Sequence, residues 1–260
     1  MNRVIFAAFL LTNYQISIRR VVREMNANER RLAENTYPGR GIVVGMTPDG
    51  KNLVQIYWIM GRSENSRNRI FVREGDAVKT RAFVESKMTD PSLIIYYPVR
   101  TVGNVHIVSN GDQTDTIASY ISEGRTFEEA LLTRQYEPDA PNYTPRISAA
   151  IIYNGDSSKF VMSILKTVGN DPAIEKKEFY TYGKFVPGEG RCIHTYMRNG
   201  NPLPSFEGEP YKVSLGNDPD VTAKRYWNML NEDNRVSLLV KYIDVETGSS
   251  DIRIINRYVD

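Results

Sequence analysis

The sequence predicts an α+β fold in which two antiparallel sheets stack face to face and helices lie outside them. Three observations carry this. Strand-like apolar runs crowd both ends of the chain, and helical patterns sit between and after them. No repeat or low-complexity linker divides the 260 residues, so one domain is expected over residues 37–260, with 1–36 a helical or loosely ordered extension. The composition, 41% hydrophobic and 25% charged, is that of a folded globular protein with ample material for a core.

The elements follow in order. Residues 4–11 are apolar and follow Arg3 like the central part of a signal peptide, but they are too short to span a bilayer and no small-x-small cleavage site follows. Met25 is an alternative start. Residues 16–34 carry Ile18, Val21, Val22, Met25 and Leu32 at loose helical spacing, and Pro38-Gly39-Arg40-Gly41 ends that pattern. Strands are expected at 41–46 and 53–60, joined by Pro48-Asp49-Gly50, where proline presets φ and glycine accepts positive φ. Further strands are expected at 70–72, 78–84, 93–97 and 105–109. A helix over 115–123 stops at Gly124, and Thr126-x-x-Glu129 has capping-box spacing for a second helix to Arg134. Three prolines keep 136–146 irregular. Strands return at 147–153, 160–166, 177–185 and 192–197. Asp218-Pro219 opens a helix to about residue 230, and a hairpin of 236–245 with 252–258 closes the chain.

Several functions are disfavoured. A formal charge of +2 is too small to argue for nucleic acid or an anionic membrane surface. Cys192 is the only cysteine, which rules out an intrachain disulfide or a thiolate zinc site and fits a reducing, cytoplasmic compartment. His106 and His194 leave few ligands for a histidine-rich metal site. The glycine-rich nucleotide cradles, the Gly-x-Ser-x-Gly elbow, His-Glu-x-x-His and Cys-x-x-Cys are all missing.

What remains is a set of polar segments where strands end. In Gly61-Arg62-Ser63-Glu64-Asn65-Ser66-Arg67-Asn68-Arg69, three arginines lie among serines and asparagines directly after a strand. Arginine forks suit phosphate oxygens, although an arginine cluster alone is more often a solvated loop. The stretch 109–115 reads alone as a helix cap, and 136–146 as a proline-stiffened connector. Tyr57, Tyr96 and Tyr97 read as core or sheet-face aromatics.

Together, the order of Gly39-Arg40-Gly41, Gly61-Arg62-Ser63 with Ser66-Arg67-Asn68-Arg69, Ser109-Asn110-Gly111 with Thr114-Asp115, and Tyr136-Glu137-x-Asp139…Thr144-Pro145-Arg146-Ile147 resembles the archaeal-type IMP cyclohydrolase family over residues 37–200. The resemblance implies a four-layer αββα sandwich like that of the N-terminal nucleophile hydrolases, without a processed nucleophile. It implies closure of the purine ring of 5-formamidoimidazole-4-carboxamide ribotide to inosine monophosphate, with no metal or cofactor. On this likeness Arg40, Arg62, Arg67, Arg69 and Arg146 are expected to anchor the nucleotide, assisted by Ser63, Ser66 and Asn68, while Asn110 and Asp112 touch ring or ribose. Glu137 is expected to handle the proton, with Asp139 as the alternative carboxylate. The accompanying tyrosine is Tyr96 or Tyr97. Residues 201–260 exceed the resemblance and are expected to cap the site, mediate homo-oligomerisation or signal a changed substrate. A related C–N hydrolase and a non-catalytic nucleotide-binding protein are the competing readings. A carboxylate and a tyrosine converging with arginines in one cleft favour an enzyme.

Overall fold

The computed structural model describes residues 25–259; the apolar stretch 4–11 and the segment before Met25 lie outside the described residues. After helix α1 (Ala27–Glu34), capped reciprocally by Asn26 and Glu29, the chain forms the hairpin β1 (Gly41–Met46) and β2 (Asn52–Met60). A single helical turn α2 (Glu64–Arg67) leads to β3 (Ile70–Glu74), β4 (Ala77–Arg81), β5 (Val99–Val102) and β6 (Val105–Ser109). Helices α3 (Gln113–Ser122) and α4 (Phe127–Leu132) precede β7 (Arg146–Ile152), β8 (Lys159–Val168), β9 (Asp171–Tyr182) and β10 (Glu189–His194). The chain closes with β11 (Tyr211–Ser214), α5 (Pro219–Met229), β12 (Arg235–Asp244) and β13 (Ser250–Asn256).

The strands build two antiparallel sheets. One has six strands in the order β11-β10-β1-β2-β12-β13, and the other is a seven-stranded meander from β3 to β9. Ile42, Val44, Leu53, Tyr57 and Ile59 from the first sheet meet Val108, Ile147, Ala149, Ile151 and Met162 from the second. The alternate residues Val43, Val54, Ile56, Trp58 and Val240 pack outward against Leu32 of α1 and Ala223, Tyr226 and Met229 of α5. On the far side Ile107, Ala150, Val161 and Leu165 pack under Ile117 of α3 and Phe127, Ala130 and Leu131 of α4. Both faces of the central strands are therefore buried, which is why they read as continuous apolar runs rather than alternating ones. Each fully buried Val, Leu or Ile in these layers contributes about 1.5–3 kcal/mol relative to exposure.

The predicted strand at 93–97 does not form. Its backbone turns instead, with Ile94 and Ile95 N–H bonding to Pro91 O, while the Thr80 hydroxyl serves Ile94 O and Tyr96 N. Val99–Val102 pairs with β6 in its place. The arginine-rich loop contains a helical turn, because Ser63 and Ser66 cap one another. Strand β11 gave no sequence signal strong enough to be expected. β9 begins at Asp171, before the expected 177; its Pro172 is tolerated because, among the described residues, this is an edge strand paired only to β8. α5 starts as its Asp218-Pro219 cap predicts, with Asp218 accepting from the Asp220 and Val221 N–H groups. β12 pairs with β2 along its length, which makes the closing segment integral to the six-stranded sheet.

Candidate active site

Antiparallel pairing brings the starts of β1, β3 and β7 and the ends of β2, β6 and β10 to one end of the sandwich. The polar segments singled out by sequence lie at that end. Arg40 immediately precedes β1 and Arg69 immediately precedes β3. Each stands two residues before an inward core residue, Ile42 and Phe71 respectively, so strand alternation aims both guanidinium groups between the sheets.

The glycines flanking Arg40 are spatial necessities. A Cβ on Gly39, whose φ is +76°, would stand 2.1 Å from Thr195 Oγ1, and one on Gly41 would stand 1.9 Å from the Trp58 ring. The backbone is thereby pressed against β10 and its extension: Arg40 N–H donates to Thr195 Oγ1 at 3.2 Å and Thr195 N–H to Arg40 O at 2.9 Å.

Arg40 Nη2 lies 3.8 Å from Glu137 Oε2. Glu137 comes from the irregular segment before β7 and is only 1% exposed; its N–H donates to Thr144 O at 2.9 Å. Among the described residues its Oε1 has no hydrogen-bond partner, nor do Arg40 Nε or Arg69 Nη1 and Nη2, although Arg69 is fully buried and its Nε donates to Ser66 O at 2.8 Å. Buried donors without partners cost free energy, and an acceptor-rich ligand could satisfy them. Beside them the hydroxyls of Tyr57 and Tyr96 meet at 2.7 Å. Tyr196 follows β10, and its hydroxyl lies 2.5 Å from Thr144 Oγ1.

Electrostatics follows from burial. Burial pushes the Glu137 carboxyl up to about 7, even though Arg40, Arg146 and Arg69 pull the other way. Burial works against the Arg40 guanidinium, but Glu137 and the hydroxyls of Tyr196, Tyr37 and Tyr96 more than offset it, holding Arg40 cationic. Burial raises the Tyr57, Tyr96 and Tyr196 hydroxyls, so all three are protonated at neutral pH. The arrangement offers a carboxyl that changes charge near neutrality, fixed cations and neutral hydroxyl donors, a set suited to moving protons on a polar substrate.

The other expected residues are distributed differently. Tyr97 is turned away, with its hydroxyl donating to Glu74 Oε2 at 2.9 Å and its ring under Arg100; of the two adjacent tyrosines, Tyr96 is the one beside the arginines. Arg67 is spent on Gly61 O and Asn234 Oδ1. Arg62 lies at the exposed rim, bonded to Asn199 Oδ1 and Gly200 O, with its guanidinium 4.9 Å above the Tyr37 ring. Ser63 and Ser66 cap α2, and Asn68 braces Val84 through both backbone groups. Asn110 is a buried brace between Pro145 O and Ile147 N–H. Asp112 pairs with Arg146 at 2.6 Å and Arg134 at 2.5 Å; burial opposes this, yet the two cations hold its carboxyl below the usual range. Arg146 also bonds Gln113 Oε1, and it lines a cleft with Arg134, Tyr136, Pro138 and Lys177. Asp139 accepts from Thr144 N–H at 2.6 Å and Oγ1 at 2.5 Å, so it is engaged in its own loop.

Sequence reasoning missed Tyr196, Tyr37 and the site role of Tyr57. Tyr57 sits inside an apolar strand where any aromatic reads as core, and no spacing ties Tyr37 or Tyr196 to the motifs.

A sequence model of the family described as IMP cyclohydrolase-like protein matches residues 37–248, a stretch that runs on through α5 and β12. The IMP cyclohydrolase of Methanosphaera stadtmanae is 31% identical over 167 residues, covering 63% of this chain and 75% of the relative. The IMP cyclohydrolase of Methanopyrus kandleri is 36% identical over 129 residues, 46% of this chain and 60% of its own length. That of one Methanococcus maripaludis strain is 35% identical over 126 residues, 47% of this chain and 60% of its own, so the last two alignments span less than two thirds of the relatives. The chain belongs to the IMP cyclohydrolase-like family.

Proposed function

We propose that this chain is an IMP cyclohydrolase, closing the purine ring of 5-formamidoimidazole-4-carboxamide ribotide with loss of water to give inosine monophosphate. The observation that carries the reading is Glu137: a buried carboxyl with a pKa of about 7, one oxygen near Arg40 and the other without a hydrogen-bond partner among the described residues. In the reaction the carboxamide nitrogen attacks the formyl carbon, and the formyl oxygen leaves as water. One hydrogen of that water comes from the carboxamide nitrogen and the other from the formamide nitrogen. The protein has to align two groups of one molecule and move protons between them. Protonated Glu137 gives its proton to the formyl oxygen as the C–N bond forms, and its carboxylate then takes the formamide N–H proton as the hydroxyl leaves. Arg40 and Arg69 donate to the oxygens on which negative charge develops, and the Tyr57–Tyr96 pair closes that wall of the site.

In this reading Arg62, at the exposed rim beside Tyr37, meets the 5′-phosphate, and Arg67, bonded to Gly61 O, braces the loop. The helices outside two stacked antiparallel sheets support reading the fold as the αββα sandwich of the N-terminal nucleophile hydrolases, formed by one domain spanning 37–260. The lone buried thiol of Cys192 is in keeping with a reducing cytoplasm. The test is incubation of purified protein with the formamido ribotide and detection of inosine monophosphate. Intact ribotide binding with no turnover above the uncatalysed rate would reject the enzyme and leave a nucleotide-binding protein.

A further inference from the structure

A line of three side chains runs from the centre of the site toward its surface. Tyr196 is 2% exposed, stacked on Tyr37 with ring centroids 6.0 Å apart. Its backbone is fixed from both sides: its N–H donates to Pro38 O at 3.1 Å, and His194 Nδ1 bonds its carbonyl at 2.8 Å. Burial lowers the His194 imidazole to about 4, so at neutral pH its Nδ1–H is the donor to that carbonyl. The Tyr196 hydroxyl lies 2.5 Å from Thr144 Oγ1, and Thr144 Oγ1 lies 2.5 Å from Asp139 Oδ2. Thr144 is fully buried, whereas Asp139 is half-buried at the outer end of the line.

The direction of these bonds is set by chemistry. A carboxylate only accepts, so Thr144 donates to Asp139 and its oxygen accepts from Tyr196. Tyr196 thereby spends its own proton on Thr144, and its oxygen lone pairs remain for a donor on a ligand beside Arg40 and Glu137, whose charges both act on it. That is the geometry of a base that works by passing a proton on, and it is distinct from the acid at Glu137.

We infer that Tyr196, Thr144 and Asp139 form a proton relay for ring closure, in which Tyr196 touches the substrate and Thr144 and Asp139 act through it. The inference rests on the ring-closure reading above. As the carboxamide nitrogen bonds to the formyl carbon, its proton moves to Tyr196 O, the Tyr196 proton to Thr144 Oγ1, and the Thr144 proton to Asp139. Glu137 meanwhile protonates the formyl oxygen. In dehydration the relay runs backward: the Asp139 proton returns through Thr144 and Tyr196 to the departing hydroxyl, and the Glu137 carboxylate takes the formamide N–H proton. Water leaves, and both carboxyl groups return to their starting states, so every proton is accounted for.

The test compares steady-state kinetics of the full chain and its variants on the formamido ribotide. Tyr196→Phe keeps the ring stack and leaves the Thr144–Asp139 bond in place. It is expected to lower kcat by about 10²-fold or more, the range for loss of a positioned proton-transfer group, with KM changed by less than about threefold. Thr144→Val is expected to lower kcat comparably, and Thr144→Ser, which restores the hydroxyl, to recover most of the loss. The double variant Tyr196→Phe/Asp139→Asn should be no worse than the poorer single variant, because the residues serve one path. Full activity in Tyr196→Phe, equal loss in Thr144→Val and Thr144→Ser, or effects that multiply in the double variant would overturn the relay while leaving ring closure standing. A wild-type chain that binds the ribotide without converting it would overturn both.

Discussion

Arg40 Nη2 and Glu137 Oε2 stand 3.8 Å apart in a site where Glu137 is 1% exposed, close enough to interact but too far for a charge-assisted hydrogen bond. The pair therefore does not hold the carboxyl ionised against burial, and its pKa settles at about 7 instead of being driven down.

Glu137→Gln is expected to lower kcat by about 10²–10⁴-fold while leaving ribotide affinity nearly unchanged, checked by turnover alongside calorimetric binding. In the wild type, turnover should decline as pH rises through about 7, because in the proposed mechanism the protonated form is the acid. The same variant should be more stable than wild type. A carboxyl whose pKa is raised on folding contributes most below the unfolded value, and that contribution is lost as pH climbs through the folded value. Above pH 7 the penalty reaches about 3 kcal/mol, so the Tm difference favouring the variant should open between pH 4.5 and 7 and close below that window.

Arg62→Ala is expected to raise KM by about tenfold, with kcat within about twofold, because the residue lies at the rim and not beside Glu137. A kcat effect as large as that on KM would place Arg62 at the reacting groups.

Gly41→Ala should prevent the native approach of β1 to Trp58 of β2, since its Cβ would lie 1.9 Å from the Trp58 ring. The expected outcome is destabilisation of more than about 3 kcal/mol by chemical denaturation, from overpacking in a layer that cannot yield. A variant with wild-type stability would mean that Trp58 can move.

Lys241 lies fully buried between the sheets, with Nζ donating to Thr101 Oγ1 at 2.8 Å. Burial lowers its amine to about 8, despite the opposing pull of Asp76. Between pH 8 and 10.5 the unfolded chain holds the proton more tightly, so wild-type stability should rise with pH across that window. Lys241→Met should be more stable at pH 7 by about 1–4 kcal/mol and should lose that slope, measured by urea denaturation at several pH values.

Local chemistry made much of the fold legible. The Pro48-Asp49-Gly50 turn, the Thr126–Glu129 capping box and the Asp218-Pro219 helix start are each written in a few adjacent residues, and each forms. The run 93–97 misled because its apolar residues look like a strand, whereas its backbone bonds go to Thr80 and Pro91, partners that no local pattern reveals. The site divides in the same way. In sequence Arg62, Arg67 and Arg69 look equivalent. Arg67 shares the parity of the inward Phe71 but is held in the helical turn, so of the three only Arg69 is carried inward by the strand, and only it is fully buried. Parity also aims Arg40 inward, since Ile42 is a core residue. Tyr96 and Glu137 lie on irregular backbone, where no such rule applies, and Tyr196 reaches the site through a contact with Thr144 far away in sequence.

Gathering Arg40, Arg69 and Glu137 at one end of the sandwich leaves the other end free of them. There β3 passes to β4 through Gly75-Asp76, β5 to β6 through Gly103-Asn104, and β12 to β13 through 245–249, all short hairpin turns. Tolerance to change is therefore polarised along the strand axis. A tag inserted at Gly103-Asn104, or new termini created there by circular permutation, would disturb the β5–β6 hairpin and the two Asn104–Tyr153 bonds beside it, and leave the end that holds Arg40, Arg69 and Glu137 untouched. That gives an experimenter a handle on this fold that its chemistry does not see.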